Sequence, residues 1–528
     1  MRLSVTSRST ERRDRRPWAG SQKYLMDWKG LSFPTTECFA FHAAESARLR
    51  LELGIHKFGF TRNNMSTKPK SSNINYSQLP SGERWSTLED GINRARLLVS
   101  DRVGIVSRVF DKVHDIDDSY CYSIGAETAD GEFLIGSTNN KFNGGGAISE
   151  TATYLAAIGE CVERYSGAWV PWESLRRTSY SELRKDSTPG VHPDQWTPFH
   201  ARQFEDPNFE YRPLTNDLEL NWSAAQNLAN GNTVWVPSQM LYLYPTDPHY
   251  GQSAVGYATS SGLAFHSTPA EAILGGLYEL VERDAFMITW HSGLSMPLLD
   301  IESSADLSQF MARYVKPSGI DVYLIDLSSI SNIPAVLAVA INPFTDHAPV
   351  ALGASAGPTI LKAAQDAAIE CLQTRNWVKA EQRDGNAIDP NTCDMIAEIR
   401  DFDDHIRFYA NAESRDRVKF LISSDKRTSV SSGSDFTSTS PNEEIAAIVS
   451  ALNSQEIEVF AKDLTSPDVR EAGGAVFKAF SPQLQMLDVG FHRRYLGSTR
   501  LRTRARELGL QSDDLDFADF NPFPHPFP

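Results

Sequence analysis

Three segments of the chain repeat one helical pattern, and this repetition constrains the fold more than any other feature. They cover residues 149–167, 267–286 and 357–377. Each begins with small or capping residues, continues through Ala, Leu and Ile, and reaches Glu-x-x-Glu or Glu-x-x-Gln. Ser149 and Ser267 are predicted N-caps, since a serine oxygen can accept a first-turn N–H. The spacing between copies is not constant, which excludes a solenoid array. It indicates instead that one type of glutamate-bearing helix occurs three times in the fold.

The first segment places two carboxylates on one helical face. Side chains three or four positions apart are neighbours on a helix, so Glu160 and Glu163 lie together, with Arg164 one turn from Glu160. Such a triplet is most often a solvated, salt-bridged surface. If it is buried instead, the two like charges need a cation to neutralise them.

The second segment repeats the triplet as Glu279, Glu282 and Arg283, and it adds Glu271 on the same side. Mg²⁺ prefers oxygen ligands and is often held by one or two carboxylates together with substrate phosphates. Glu271 and Glu279 are separated by about 12 Å along an unbroken helix, so they cannot easily share one ion. Several Mg²⁺ ions on a polyphosphate are therefore predicted.

Composition and missing motifs exclude several classes of function. The 528 residues contain no Gly-x-x-x-x-Gly-Lys-Ser/Thr loop and no kinase signature set, so an ATP site of another kind is predicted. The net charge of −16 argues against nucleic acid and anionic membranes as partners. The five cysteines are scattered without a Cys-x-x-Cys pair, which indicates neither a zinc knuckle nor a disulfide framework and favours a cytoplasmic location.

Helical patterns alternate with strand-like runs, which indicates an α/β or α+β fold. Strands are predicted at residues 103–110, 322–329, 334–341 and 458–465. The Ser-rich run 428–440 is predicted to be a surface loop or small insertion, and the glycine run 143–149 a flexible loop that could approach phosphate. Residues 1–80 are interpreted as a partly disordered N-terminal extension and residues 81–528 as the catalytic domain.

Together these segments resemble the YcaO family, from about residue 82 to residue 528. Members carry Ser before a Glu-x-x-Glu-Arg helix, then Glu-x7-Glu-x-x-Glu-Arg, then Glu-x-x-Gln. The same elements stand in this sequence at Ser149, Glu160, Glu163, Arg164, Glu271, Glu279, Glu282, Arg283, Glu370, Gln373 and Arg375. The resemblance implies the YcaO fold, in which mixed sheets and Glu-bearing helices surround an ATP site that is neither of Walker nor of kinase type.

The resemblance also implies a role for each matched residue. The Mg²⁺ ions on the ATP phosphates would be held by Glu160, Glu163, Glu271, Glu279 and Glu282. The nucleotide would be contacted by Arg84, Ser149, Glu160, Arg164, Glu279, Arg283, Gln373 and Arg375. Arg84 stands where the family usually has Lys, and residues 144–146 read Gly-Gly-Gly where the family has Gly-Lys-Gly.

The last eight residues, 521–528, alternate proline with other residues and predict a stiff, extended rod. Family members that form azoline rings commonly end in Pro-x-Pro-x-Pro, which Pro524, Pro526 and Pro528 match. The resemblance implies a catalytic role for these prolines and an ordered tail inserted toward the nucleotide site. One hypothesis is that the Pro528 carboxylate orients or deprotonates the substrate.

The resemblance implies ATP- and Mg²⁺-dependent cyclodehydration of Cys, Ser or Thr in a ribosomally made precursor peptide, giving thiazoline or oxazoline. The partners it implies are the precursor peptide, a separate leader-binding protein of the E1-like (ThiF-like) type, and a second copy in a homodimer. Two alternatives stay open. One is a YcaO enzyme that forms a thioamide or macroamidine, and the other is a non-enzymatic accessory to a sulfur-transfer enzyme.

Overall fold

The computed structural model describes residues 82–243 and 254–527. They belong to one compact unit, Ser72–Pro528. The predicted extension at residues 1–80 lies outside the described residues, and so does Pro528. Within the described residues, no helix is both long enough and apolar enough to cross a membrane.

Helices and strands interleave along the described chain, as the sequence predicts. The described residues form thirteen α-helices: α1 Leu88–Leu98, α2 Gly131–Ile135, α3 Glu150–Ala168, α4 Tyr180–Lys185, α5 Pro269–His291, α6 Ala305–Phe310, α7 Ile360–Arg383, α8 Met395–Glu398, α9 Phe402–Tyr409, α10 Arg415–Val418, α11 Pro441–Asn453, α12 Pro467–Glu471 and α13 Thr499–Glu507. The fourteen strands of the same residues are β1 Val106–Asp111, β2 Tyr122–Thr128, β3 Phe142–Ala147, β4 Arg176–Thr178, β5 Leu220–Asn227, β6 Thr233–Pro237, β7 Leu263–His266, β8 Leu298–Asp300, β9 Asp321–Asp326, β10 Ala335–Ile341, β11 Val350–Ala356, β12 Arg427–Ser429, β13 Phe460–Asp463 and β14 Ala475–Phe480.

The strands form three sheets. The first has the order β1-β2-β3 and is antiparallel. The second has the order β11-β10-β9-β8-β12, in which only the β8–β12 pair is parallel. The third has the order β4-β5-β13-β14-β7, with β6 paired to β5, and it is antiparallel. The fold is therefore a mixed α/β architecture rather than a single doubly wound sheet.

The three Glu-bearing helices are the ones that connect the sheets. Helix α3 packs on β2 and β3 and also on β7, while α7 packs on β10, β11 and β3. Helix α5 lies between the third sheet, at β7 and β14, and the second sheet, at β10 and β11. Most residues of α5 are buried, which explains its Ala- and Leu-rich composition, since a helix surrounded by protein needs an apolar surface nearly all round.

Glycines in two strands allow two of these helices to pack closely. A Cβ atom on Gly145 of β3 would lie 2.4 Å from the backbone nitrogen of Ala157 in α3. A Cβ atom on Gly353 of β11 would lie 2.2 Å from the backbone nitrogen of Cys371 in α7. The prediction of a flexible loop at 143–149 is therefore wrong for most of that run. Its glycines belong to strand β3, which pairs with β2, and their missing side chains let α3 pack closely against the strand.

The four predicted strands correspond to β1, β9, β10 and β13, each shifted or shortened by a few residues. The Ser-rich run 428–440 differs from its prediction at its start, where β12 pairs in parallel with β8. The remainder of that run is mostly exposed, in agreement with a surface loop.

Candidate active site

Each of the three Glu-bearing helices begins at a hydroxyl side chain. Ser149 and Thr359 cap α3 and α7 by accepting a first-turn N–H at 3.3 and 3.2 Å. Helix α5 is capped by Thr268 rather than by the predicted Ser267, and Thr268 accepts a first-turn N–H at 3.3 Å. Pro269 occupies the first helical position, where a backbone N–H would have no acceptor within the helix, so the missing N–H of proline costs no hydrogen bond.

The two glutamates of α3 are held by one arginine and by a neighbouring strand. Arg164 pairs with Glu160 through Nη2, and its Nη1 lies 3.8 Å from Oε2 of Glu163. The other oxygen of Glu163 accepts the backbone N–H of Phe265 in β7 at 2.9 Å. Burial, followed by the nearby charge of Glu160, raises the pKa of Glu163 well above its ordinary value.

Helix α5 repeats this arrangement with Arg283. Its Nη2 donates to Oε1 of Glu279 at 3.3 Å, and its Nη1 lies 2.9 Å from Oε1 of Glu282. Burial raises the pKa of both carboxyl groups, that of Glu282 by more. Burial alone would lower the pKa of the Arg283 guanidinium, but the surrounding carboxylates raise it, so Arg283 is held as a cation.

Glu370 of α7 completes the cluster from the third helix. Its Oε2 accepts the backbone N–H of Ala354 in β11 at 2.9 Å. Burial raises the pKa of Glu370 to about 7, and the charges of Glu279 and Glu160 act in the same direction. Because Glu279 also raises the pKa of Glu163, the carboxylates of α3, α5 and α7 lie within one electrostatic field. The interpretation of these triplets as solvated surface is therefore wrong.

The cluster fits divalent cations on a polyphosphate. We call Glu160, Glu163, Glu279, Glu282 and Glu370 the carboxylate cluster. These five acidic groups face two guanidinium groups, Arg164 and Arg283. Oε1 of Glu282 is buried without a hydrogen bond. Oxygen donors with an excess of buried negative charge are what Mg²⁺ accepts as ligands, and the predicted Mg²⁺ fits this site.

Sequence reasoning missed a buried lysine close to the cluster. Lys478 lies in β14, is 1% exposed, and donates through its ammonium to the carbonyl oxygen of Thr259. Burial lowers the pKa of Lys478 to about 7, against the opposing charge of Glu279. The available signal was a single Lys in the otherwise apolar run Ala-Val-Phe-Lys-Ala-Phe, since an unpaired charge is rare in a buried strand.

Glu271 lies apart from the carboxylate cluster in its contacts. Its carboxylate accepts hydrogen bonds from the N–H and hydroxyl of Ser86 and from the hydroxyl of Thr268. His266 Nδ1 lies 3.7 Å away. The structure therefore gives Glu271 a set of protein donors at the start of α5, and its predicted role as a Mg²⁺ ligand stays a prediction.

Three further predicted residues have other partners. Arg84 is exposed and lies 4.0 Å from Asp90. The side chain of Gln373 packs against Gly146 of β3. A Cβ atom on Gly146 would lie 2.1 Å from the side-chain amide nitrogen of Gln373. Arg375 is 2% exposed and its guanidinium pairs with Asp117 in the segment between β1 and β2. Nucleotide contact by these residues stays a prediction.

The proline tail is fixed between α5 and α9. The hydroxyl of Tyr409 donates to the Pro524 carbonyl at 2.7 Å, and Nδ1 of His405 lies 2.8 Å from the His525 carbonyl. Nε2 of His525 lies 2.7 Å from the Asp488 carbonyl, so this nitrogen donates. Residues 524–527 are buried. The prediction of an ordered tail agrees with the structure up to Phe527, and its last residue lies outside the described range.

The guanidinium carbon of Arg283 lies 4.3 Å from the ring centroid of Phe527, so the tail reaches the carboxylate cluster. The sequence of the same region matches a family model described as YcaO cyclodehydratase, ATP- and Mg²⁺-binding, over residues 143–485, more than half of the chain. The chain belongs to the YcaO family. The matched range contains α3, α5 and α7 with all five glutamates of the carboxylate cluster.

Two curated relatives share part of this YcaO region. An uncharacterized protein of Methanothermobacter thermautotrophicus is 27% identical over 201 residues, which cover 37% of this chain and 47% of the relative. An uncharacterized protein encoded in the tfuA 3′ region of Rhizobium leguminosarum bv. trifolii is 33% identical over 179 residues, which cover 31% and 41%. The chain thus spans less than half the length of the curated relatives it matches.

Solved structures share the YcaO fold. A heterocyclase in complex with substrate and cofactor has a TM-score of 0.67 and 21% identity, covering 84% of this chain and 58% of the other. The heterocyclase TruD has a TM-score of 0.55 and 22% identity, covering 71% and 52%. The YcaO of Methanopyrus kandleri, bound with AMPPCP and Mg²⁺, has a TM-score of 0.53 and 17% identity, covering 76% and 93%. These likenesses show the mixed α/β YcaO fold.

Proposed function

We propose that this YcaO protein is an ATP- and Mg²⁺-dependent peptide cyclodehydratase. Its substrate is a ribosomally made precursor peptide in which Cys, Ser or Thr becomes thiazoline or oxazoline. The observation that carries the proposal is the carboxylate cluster, because one buried and four half-buried glutamates from three helices have their charge only partly balanced by two arginines. A site of this composition is costly to keep without bound cations.

The reaction divides into two steps. The side-chain thiol or hydroxyl of the substrate gives up its proton as its sulfur or oxygen adds to the carbon of the preceding backbone carbonyl. The former carbonyl oxygen then takes the γ-phosphoryl group of ATP, releasing ADP. Phosphate then leaves with that oxygen while the former amide nitrogen loses its proton and forms the C=N bond. The net change is loss of one water per ring, driven by hydrolysis of ATP to ADP and phosphate.

The residues of this chain bind and orient in that reaction. Glu160, Glu163, Glu279, Glu282 and Glu370 would hold the Mg²⁺ ions, with Arg164 and Arg283 fixing the carboxylates. Bound Mg²⁺ supplies neutralisation of the negative charge that accompanies phosphoryl transfer. Lys478, whose pKa burial lowers to about 7, would add positive charge on the third-sheet side in its protonated form.

The docked tail favours ring formation over the other outcomes of the family. By the resemblance, a Pro-x-Pro-x-Pro motif accompanies azoline formation, and residues 524–527 of this chain are buried beside α5. We place the catalytic contribution of Pro524 and Pro526 in the rigidity of this segment, since prolines fix the backbone before the substrate binds. The hypothesis for the Pro528 carboxylate concerns a residue outside the described range.

We further propose that the protein acts in the cytoplasm with a separate E1-like leader-binding partner. Among the fold relatives is the E. coli microcin synthetase McbBCD complex, with a TM-score of 0.52 and 16% identity. A pull-down with the precursor peptide and the candidate partner, followed by turnover with and without that partner, tests the dependence. Full-rate processing by this chain alone would show that the partner is not needed.

The direct test replaces glutamates of the cluster by glutamine. We expect E160Q and E279Q to abolish peptide-dependent ATP hydrolysis and ring formation, whereas the matched control E507Q, which alters an exposed Glu paired with Arg504, keeps both. Phosphate release is followed together with peptide mass, using a Cys-, Ser- and Thr-rich peptide encoded near the gene.

The products separate the proposal from its alternatives. One water lost for each phosphate released, located by fragmentation at a Cys, Ser or Thr residue, supports azoline formation. A mass change that corresponds to exchange of oxygen for sulfur indicates a thioamide, and loss of water between the peptide's N-terminus and an internal amide indicates a macroamidine. Unchanged ATP hydrolysis in both E160Q and E279Q would reject the enzyme and favour an accessory role.

A further inference from the structure

Phe527 of the tail contacts the arginine that holds two glutamates of the carboxylate cluster. Its ring is fully buried, with its centroid 4.3 Å from the Arg283 guanidinium and 4.9 Å from the centroid of Phe286 in α5. A cation this close to a desolvated aromatic face is attracted by the ring's negative charge distribution. Phe527 is therefore linked to the carboxylate cluster through Arg283.

The Arg283 guanidinium is only partly held by hydrogen bonds. Its Nη2 donates to Glu279, but its Nε and Nη1 are buried without a hydrogen-bond partner. The 2.9 Å approach of Nη1 to Glu282 is a charge contact that lacks hydrogen-bond geometry. A buried guanidinium with two unpaired nitrogens would turn to pair with both carboxylates if nothing opposed it. The Phe527 ring is the described group that covers its face.

The ring is itself fixed by backbone contacts upstream in the tail. The indole N–H of Trp290, near the end of α5, lies 3.3 Å from the Phe523 carbonyl oxygen and donates to it. The Pro524 and His525 carbonyls accept from Tyr409 and His405, as described above. Prolines on both sides of His525 remove rotational freedom. The position of the ring is thereby set by contacts of the tail with α5 and α9.

We propose that Phe527 is a positioning residue for the metal ligands. Its ring holds the Arg283 guanidinium in a position from which the guanidinium neutralises Glu279 and Glu282. In that position the guanidinium forms no bidentate ion pair with either carboxylate, so carboxylate oxygens stay available to divalent ions. This inference rests on the proposed function, because it concerns how the carboxylate cluster receives its ions.

The test measures ion binding directly. Binding of Mn²⁺ to the full chain in the presence of AMPPCP is followed by electron paramagnetic resonance, beside the Mg²⁺ dependence of ATP hydrolysis. We expect F527L, which keeps apolar volume but no ring, to weaken Mn²⁺ binding about tenfold, the size of a desolvated cation–π contact. Pentafluorophenylalanine at position 527 keeps a ring but reverses the charge of its face, and it should weaken Mn²⁺ binding by a similar factor. F527Y keeps an aromatic face and should bind Mn²⁺ as wild type does.

The tail provides a matched control in Phe523. Its ring lies 4.5 Å from the guanidinium of Arg417, which has no contact with the carboxylate cluster among the described ion pairs and hydrogen bonds. F523L removes a similar contact from the same tail and should leave Mn²⁺ binding unchanged, with thermal unfolding recorded for every variant. Wild-type chain that binds no Mn²⁺ with AMPPCP overturns the proposed function and this inference with it. Wild-type binding that folded F527L leaves unchanged overturns the inference alone.

Discussion

Glu271 accepts two hydrogen bonds from Ser86, one from its backbone N–H at 2.7 Å and one from its hydroxyl at 2.5 Å. The hydroxyl of Thr268 adds a third at 2.8 Å. Burial alone would raise the pKa of Glu271, but the contacts with His266 and Ser86 lower it to about 2. Glu271 is thus stabilised as an anion that fastens the segment before α1 to the start of α5.

The first prediction concerns the stability that this anion provides. A carboxyl group whose folded pKa is depressed stabilises the fold above its unfolded value of 4.5, and this contribution is lost as pH falls toward 2. We expect E271Q to lower the free energy of unfolding by about 2 kcal/mol at pH 7. In urea unfolding the difference from wild type should shrink below pH 4.5.

The same variant tests the predicted role of Glu271 as a metal ligand. Since its oxygens already have protein donors, we expect E271Q to bind Mn²⁺ with AMPPCP as wild type does. S86A removes the hydroxyl and should reproduce part of the stability loss. A missing Mn²⁺ equivalent in E271Q at unchanged stability would show that Glu271 is a ligand instead.

The second prediction concerns Glu370, whose ionised carboxylate should lower the free energy of unfolding, whereas that of Glu271 raises it. Burial raises its folded pKa from 4.5 to about 7, so ionised Glu370 destabilises the fold, by an amount that grows from pH 4.5 and is complete above pH 7. Without ligands, E370Q should therefore be more stable than wild type by about 2 kcal/mol at pH 8 and equally stable below pH 4.5. Its amide oxygen can still accept the Ala354 N–H.

Thermal unfolding with and without Mg²⁺ and AMPPCP separates this stability gain from a loss of binding. Wild type should gain more stability from the ligands than E370Q, since a ligand that binds only the folded state stabilises it by mass action. E507Q again serves as a control. Equal stability of wild type and E370Q at pH 8 would show that burial does not raise the pKa of Glu370.

Local patterns predicted the elements of this fold better than their arrangement. The helix starting near Ser149 follows from a capping residue ahead of an apolar period, and these signals lie within a few residues of one another. The prediction of a flexible loop for the glycine run ahead of it is wrong, because the run pairs with β2 and packs against α3, and both partners come from the fold. Whether a glycine is a turn or a close-packing position depends on such contacts, which one sequence does not specify.

The site was predicted where its spacing is helical and missed where it depends on the fold. Glu160 and Glu163 share a face by helix geometry alone. Lys478 comes from a strand more than 300 positions away, and only the packing of β14 places it in the same field. Glu271 has the correct helical phase, but Ser86 lies against it in the fold. Helical periodicity predicts the direction in which a side chain points from the helix axis. It does not predict which residues of the fold pack against that side chain.

The third prediction concerns pH and the tail. Burial lowers the pKa of His525 from 6.5 to about 3, so His525 is neutral in the fold. A histidine that must stay neutral gives full stability above pH 6.5, and stability is lost as pH falls toward 3 because the unfolded chain takes up the proton. Wild type should lose about 2 kcal/mol between pH 7.5 and pH 5 from this group.

H525N provides the comparison, since an asparagine amide can donate to the Asp488 carbonyl but does not titrate. Its free energy of unfolding, measured by urea at both pH values, should change less than that of wild type. The exposed His192, on a separate surface segment, gives the control variant H192N, which should behave as wild type. The same pH dependence in wild type and H525N would show that His525 is not held neutral by burial.

Arg375 is the last residue whose predicted and observed partners differ. Its Nη1 donates to the Asp117 carbonyl at 3.1 Å, and its Nη2 pairs with the Asp117 carboxylate. Lys379 lies 2.8 Å from the same carboxylate. Burial raises the pKa of Asp117, but these cations overcome it and hold the pKa well below its ordinary range. The three residues thus join α7 to the segment between β1 and β2.

The fourth prediction separates a structural role for Arg375 from nucleotide binding. R375M removes a buried guanidinium but leaves Asp117, which is 32% exposed, paired with Lys379, so we expect it to lower the free energy of unfolding by about 1–2 kcal/mol. D117N removes the carboxylate from this pair, and with it the Lys379 contact, and serves as the comparison variant. If Arg375 acts only through Asp117, both variants should change AMPPCP affinity equally. If R375M alone weakens AMPPCP binding at least tenfold while D117N retains it, Arg375 contacts the nucleotide as the sequence predicts.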